Sequence, residues 1–466
     1  MTGKDTNTAM NYQRHEHKPD RPGVRRARSR WWAVGLAGMT GLALATVGGV
    51  TATPAADASE HPTNATDDRA SADDHRDGGE HDNRGRGKDD IRGKKGVRPK
   101  GIPVPCDADK LIAAITLANA RGGAVLDLAK KCTYLLTAAI DDAGLPAITA
   151  PITLNGGTNT TIGRAAAAPL FRILTVEAGG DLTLHHLKIT GGQTDDSGGG
   201  ILVNAGGALT ANHSTISRNI ANVAGGGIDA NGTVRLRHST VSYNTANSGG
   251  GGINVSSGLL TVSKSRVDAN TALLFGGGIA SAGTTRVDYS TITGNHAPSG
   301  GGLVIGTGTG TVTNTHIMSN TATAGGGVTA VGGGAYTFRS VVIADNTATT
   351  GVSGGLFLDI GMTMVIEDGV IENNAAATDG GGIANNGDLV LRDTKVAGNT
   401  ANLQGGGIYN TSIVTVFDGT VIKNTAAVDG GGIFNNGGAV ELNAATGTVV
   451  AKNRPNNCVD VTGCPD

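Results

Sequence analysis

Ten polar residues recur at one position of a repeat, and they are the first place to look for chemistry. The column reads His186, His213, His238, Lys264, Tyr289, Asn314, Ser340, Asp368, Asp393 and Asp418. Three histidines in a stack offer imidazole nitrogens to a metal. Three stacked aspartates offer the carboxylate oxygens that calcium takes, so Asp368, Asp393 and Asp418 are the calcium candidates. The column also drifts through Lys, Tyr, Asn and Ser, as a tolerant position does. Asp, Asn, Ser and His all bond their own backbone at turns, so a strand-ending turn is the preferred reading and no cofactor is expected. Other acids are scattered. Asp229 follows a glycine cluster, and Asp288 and Glu367 sit in a neighbouring outward column beside Arg235, Arg237, Arg286, Arg339 and Arg392. An Arg392–Glu367 pair is conceivable there. Proton abstraction beside a uronate needs a base with an electrostatic clamp. The sequence places no two carboxylates together and has no nucleophile motif or phosphate loop, so these charges read as solvated surface and no catalytic residue is nominated.

The elements that carry these residues follow from the repeat. An apolar residue follows each glycine cluster, at Ile201, Ile228, Ile253, Ile279, Leu303, Val328, Leu356, Ile383, Ile408 and Ile433, with gaps of 24 to 28 residues. A fixed period in this range marks a solenoid. An asparagine precedes each cluster from Asn219 through Asn244, Asn270, Asn295 and Asn320 to Asn424, with Gly192 in the first copy and Asn453 closing the series. Apolar columns run eight and three residues before it, as in Leu236 and Val241 or Phe338 and Ile343. The alternation is that of strands, with β-branched residues favoured. Three to six glycines per copy exclude helical repeats, because each glycine costs about 1 kcal/mol in a helix. The fold expected is all-β: a parallel β-helix of about twelve coils, three short strands per coil, stacked at roughly 4.8 Å. The asparagines form an internal ladder at a turn, and the glycines supply positive φ and room where backbones crowd.

The Gly-Gly-Gly-Ile and Asn-Thr-Ala units, as in Asn424-Thr425-Ala426 and Gly430–Ile433, resemble the repeats of polymorphic outer membrane proteins. Those are right-handed parallel β-helices of the pectate-lyase-like superfamily, so the resemblance implies right-handedness. It covers about residues 181–453. Members of that superfamily include polysaccharide lyases and hydrolases. Relatives with these repeats usually end in a membrane barrel; here 13 residues follow Asn453, so barrel anchoring is not carried over.

Along the chain, residues 1–58 have the layout of a secretory signal: a basic start, the apolar run Trp31–Val50, and Ala56-Asp57-Ala58 as a cleavage site. General secretion is preferred over the twin-arginine route hinted at by Arg25-Arg26. Residues 59–105 read as a polar linker, with ten acidic and ten basic residues between Ser59 and Lys100. Residues 106–180 read as an N-terminal cap and first irregular coils. The cap is an amphipathic helix begun by Asp107, apolar at Leu111, Ile112, Ile115 and Ala118, and ended by Gly122. The strict repeat fills 181–453 and a tail 454–466. Export permits disulfides, and the length of the solenoid excludes pairing between its ends, which leaves Cys106–Cys132 and Cys458–Cys464.

From residue 101 on, 19 basic and 25 acidic residues give a net of −6, too little positive charge for nucleic acid. Both tryptophans lie in the signal, which removes the ring on which sugars most readily stack. The functional expectation is a secreted, monomeric, non-catalytic rod that binds an extracellular surface, glycan or protein and leaves the membrane once the signal is cleaved. The alternative is a lyase or hydrolase acting on an acidic polysaccharide. A third idea, ice or mineral binding by Thr245, Thr271, Thr321, Thr347, Thr400 and Thr425, is interrupted at His296 and Ala375.

Overall fold

The computed structural model describes residues 101–465. The expected signal and most of the linker lie outside the described residues. The rest is a parallel β-helix of about fourteen turns, with one α-helix. The two turns beyond the expected twelve come from coils at the ends that lack the glycine cluster. One begins within the expected linker, where Ile102–Val104 pairs with Ala124–Leu128. Another closes within the expected tail, where Cys458–Val459 pairs with Ile433–Asn435.

Each regular coil has four strand segments rather than three. One coil runs Thr233–Arg237, Thr240–Ser242, Thr245–Ala246 and Ile253–Val255. The first two belong to one large sheet, the two-residue segment to a second and the last to a third. Every coil pairs in parallel with the next in the register of the repeat, for example Ile228 with Ile253 and Ile253 with Ile279. The period-2 alternation sends Leu236, Val241, Ala246 and Ile253 inward, where all are fully buried.

The asparagine column is an internal ladder. Asn244 shows the pattern. Its Nδ2 donates to Oδ1 of Asn270 and to the Ile216 carbonyl, both at 3.0 Å. Its Oδ1 accepts from the backbone N and the Nδ2 of Asn219, also at 3.0 Å. Both donors and both lone pairs of a fully buried amide are therefore used. The ladder begins where Gly192 N donates to Asn219 Oδ1, and ends on Asn457, which accepts from Asn453.

The glycine cluster answers three separate demands. Gly250 has φ of +62°, in the left-handed region. A Cβ on Gly251 would stand 2.4 Å from the Thr271 carbonyl oxygen, and one on Gly252 would stand 2.6 Å from the Gly278 carbonyl oxygen and 3.0 Å from the Asn270 amide carbon. The third glycine thus vacates the space that the backbone and asparagine of the next coil fill. Ser353 takes the place of the first glycine in one coil, at φ of +61°, with its hydroxyl buried and unpartnered.

The helix Ala108–Ala120 covers the N-terminal end, with Asp107 Oδ1 accepting from Asp109 N and Lys110 N. Leu111, Ile115 and Ala118 are buried, while Ile112 lies at the edge of the contact. Cys106–Cys132 and Cys458–Cys464 are bonded as expected, with Cα separations of 5.7 and 6.2 Å.

Three outcomes are expected. Asn320→Ala leaves Asn295 N and Nδ2 without their shared acceptor and should cost about 2–5 kcal/mol in denaturant unfolding. Ser353→Gly relieves a left-handed residue and a buried hydroxyl, and should stabilise by about 1 kcal/mol or more. Peptide mapping of denatured protein should find no free thiol; a reduced cysteine or a Cys106–Cys458 link would contradict the end structures.

Candidate functional site

The polar column stands where the five-residue strand ends, as expected, except for His186, which lies within the continuous strand Asp181–Thr190. All ten residues, from His186 to Asp418, hold left-handed backbone, with φ from +44° at Asp393 to +53° at Ser340. They form a bend between the five- and three-residue strands of the first sheet. Asn, Asp and His tolerate this conformation better than other non-glycine residues, which explains the types in the column. Bonding to their own backbone, the expected mechanism, is not what selects them. That role falls to the next position, missed in the sequence. Ser239 Oγ donates to the Arg237 carbonyl at 2.9 Å, Ser265 Oγ to the Ser263 carbonyl at 2.7 Å and Ser290 Oγ to the Asp288 carbonyl at 2.8 Å, and each hydroxyl also accepts from the backbone N of the preceding coil, as from Ser214 N to Ser239 Oγ at 3.1 Å. The Ser or Thr that follows six of the ten polar residues was the available signal.

At the N-terminal part of this bend the rings of His186, His213 and His238 meet, the first pair tilted by 52° with centroids 5.0 Å apart and the second edge-to-face at 4.8 Å. At the other part Asp368, Asp393 and Asp418 are exposed on successive coils. Asp393 hydrogen-bonds Asp418, and that bond, followed by burial and the surrounding acids, raises its pKa. Among the described residues, no group of three or more His, Cys, Asp or Glu is gathered so as to hold a metal. The conceivable Arg392–Glu367 pair does not form. Arg339 donates through Nε to Glu367 at 2.9 Å, while Arg392 lies 4.7 Å over the Phe417 ring. Lys395 pairs with Glu372 at 3.0 Å. The threonine column stands at the first position of the short strands of the second sheet, in register, as Thr321 with Thr347 and Thr400 with Thr425.

The first sheet also carries a row of cations on consecutive coils. Arg235, Thr261 and Arg286 face one another on consecutive coils, with Arg237 and Lys264 beside them. Further along, the Arg235 column carries Glu441, while the Arg237 column mixes signs, with Asp288, Arg339, Glu367 and Arg392. Among the described residues, Arg235, Arg237, Lys264 and Arg286 are in no ion pair.

A cleft that sequence reasoning missed lies on the outside of the third sheet, where the coils are still irregular. Its volume is about 220 Å³, and Ile140–Ala143, Ala147, Arg172, Thr175, Glu177, Asp196, Leu202 and Asn204 line it. Arg172 is buried, with Nε donating to the Ser197 carbonyl at 3.3 Å and NH2 to Asp196 Oδ2 at 3.4 Å. Asn204 Nδ2 donates to Glu177 Oε2 at 2.8 Å. On the next coil Asp229, only 5 % exposed, accepts from Asn254 Nδ2 at 2.7 Å. Burial raises its carboxyl most, the Asn254 amide lowers it, Asp196 raises it and Arg172 lowers it, leaving a pKa of about 6. Another concavity, near the C-terminal end, is basic, lined by Lys423, Lys452 and Arg454 with Thr425 and Asn453.

Asp229 makes stability depend on pH. Its carboxyl titrates higher in the folded chain than in the unfolded one, so the folded state binds more protons between about 3.8 and about 6. Stability should therefore fall as pH rises through that window. Asp229→Asn keeps the Asn254 bond to an amide oxygen and should flatten the slope, adding about 1–3 kcal/mol above the window. Urea unfolding at several pH values checks both statements.

No protein-family model and no curated protein sequence matches this chain.

Proposed function

We propose that the protein is an exported, non-catalytic rod that binds an acidic, elongated extracellular partner, such as a glycan or an anionic surface, along the row of cations on its first sheet. The carrying observation is the row of unpaired cations on Arg235, Arg237, Lys264 and Arg286, which the coil register sets one to two steps apart, or about 5–10 Å. Side chains held in no ion pair keep their charge available to a partner, and a parallel solenoid holds them at a fixed spacing. Two disulfides fit an oxidising compartment, and among the described residues no helix is long and apolar enough to cross a membrane. The metal candidates Asp368, Asp393 and Asp418 project from an exposed bend, which suits a binding face better than an active site that must exclude water.

One observation favours a second reading. A carboxyl held near pH 6 beside Arg172 and Asp196 has the protonation behaviour of a general acid–base group, as a lyase or hydrolase of acidic polysaccharides requires.

Binding to immobilised heparin and polygalacturonate should be present at low salt and weaken as salt is raised. The triple change Arg235→Gln, Arg237→Gln, Arg286→Gln should weaken it by on the order of tenfold or more. Retention by the triple variant equal to that of the parent would reject the basic face as the binding surface. Assays of unsaturated product and reducing ends over pectate, alginate and glycosaminoglycan should show no turnover. Turnover abolished by Asp229→Asn would instead establish the enzyme.

A further inference from the structure

The cleft around Arg172 carries chemistry that an acidic polymer on the first sheet does not use. Arg172 is 3 % exposed, and a guanidinium has five N–H donors. Two of them reach protein acceptors among the described residues, and the ion pair to Asp196 is long, at 3.4 Å. A buried cation is costly unless its donors and charge are matched, and a planar carboxylate matches this fork best. The surroundings have the opposite sign. Asp141, Asp142, Glu177 and Asp196 line the same cleft, and Glu177 is fixed by Asn204 from the neighbouring coil. A simple anion would meet four carboxylates on its way to Arg172. A simple cation would leave Arg172 as it is. A molecule bearing both charges satisfies both demands.

We propose that this cleft binds a small zwitterion, with its carboxylate on Arg172 and its ammonium among Asp142, Glu177 and Asp196, as in an α-amino acid. The volume supports this class, since about 220 Å³ lies below the roughly 300–1,000 Å³ of sites for larger ligands. Ile140, Ala143, Ala147 and Leu202 supply an apolar wall for a short side chain. The site is pre-formed, because the wall and the arginine are tied together. Arg172 N donates to the Asp142 carbonyl at 3.3 Å, and Gly144 N donates to the Arg172 carbonyl at 2.8 Å.

The test is calorimetry and amide-shift titration of the disulfide-intact protein with L-alanine, D-alanine, propionate and ethylamine. Alanine of one or both hands should bind, with propionate and ethylamine at least about tenfold weaker, because each lacks one charge-assisted contact. Arg172→Gln should abolish alanine binding. Because Arg172 is buried and its loss can unfold the first coils, Asp142→Asn/Glu177→Gln is the second variant. Both of its positions reach solvent, and it should weaken alanine about tenfold while the melting curve stays in place. Absence of alanine binding, equal binding of propionate or ethylamine, or an Asp142→Asn/Glu177→Gln protein that binds like the parent would each overturn the proposal.

Discussion

The structure depends on one interlock, between the third glycine of each cluster and the asparagine of the following coil. Gly252 has no Cβ because the Gly278 carbonyl and the Asn270 amide of the next coil stand there, just as Gly227 yields to Gly252 and Asn244 and Gly302 to Gly327 and Asn320. The asparagine in turn can be buried only because the stack supplies all of its partners, two donors and two acceptors, at each step. Neither residue tolerates its position without the other. An amide left half-satisfied inside the tube would cost more than an apolar side chain, and a Cβ in the cluster would push the coils apart. The chain therefore repeats them together, and the fold tolerates variation almost everywhere else on its outer surface.

The ends show how far the interlock reaches. Gly192 starts the ladder by donating only its backbone N, and Asn457 ends it from a position four residues beyond Asn453, outside the repeat register. A second ladder runs inside the last coils, from Asn385 through Asn410 to Asn435, at positions filled earlier by Val203, Ala230 and Val255. Amide and hydrocarbon thus exchange at one internal column, provided that a whole run of coils exchanges together and each amide finds the next.

Functional chemistry lies where this regularity gives way or does not apply. On the first sheet the outward positions are free of packing duty, so charge there is arranged by the register alone. The coil of Arg172 lacks the glycine cluster, and a loop from Ile140 to Ala147 stands over the third sheet to make a walled cleft. Local inconsistency with the repeat is expected at such places, since a binding site needs polar groups that a self-stacking coil would otherwise satisfy.

The sequence by itself determined the solenoid, its period, its inward columns, the asparagine ladder, the capping helix and the disulfide pairs. It could do so because every coil states the same constraints again, and copies in register average out the ambiguity of any one strand. The number of turns was legible only where the glycines mark it. Tertiary structure alone decided the rest. The bend at His238 or Asp393 was readable as a tolerant polar position, but its left-handed backbone is a property of two strands meeting at an angle. Whether Glu367 meets Arg339 or Arg392 depended on rotamers across two equivalent neighbours. Arg172, Asp196 and Asp229 lie in three successive coils and carry no repeat signal. Only stacking brings them together, and only the low dielectric of that buried contact moves the Asp229 carboxyl toward neutrality.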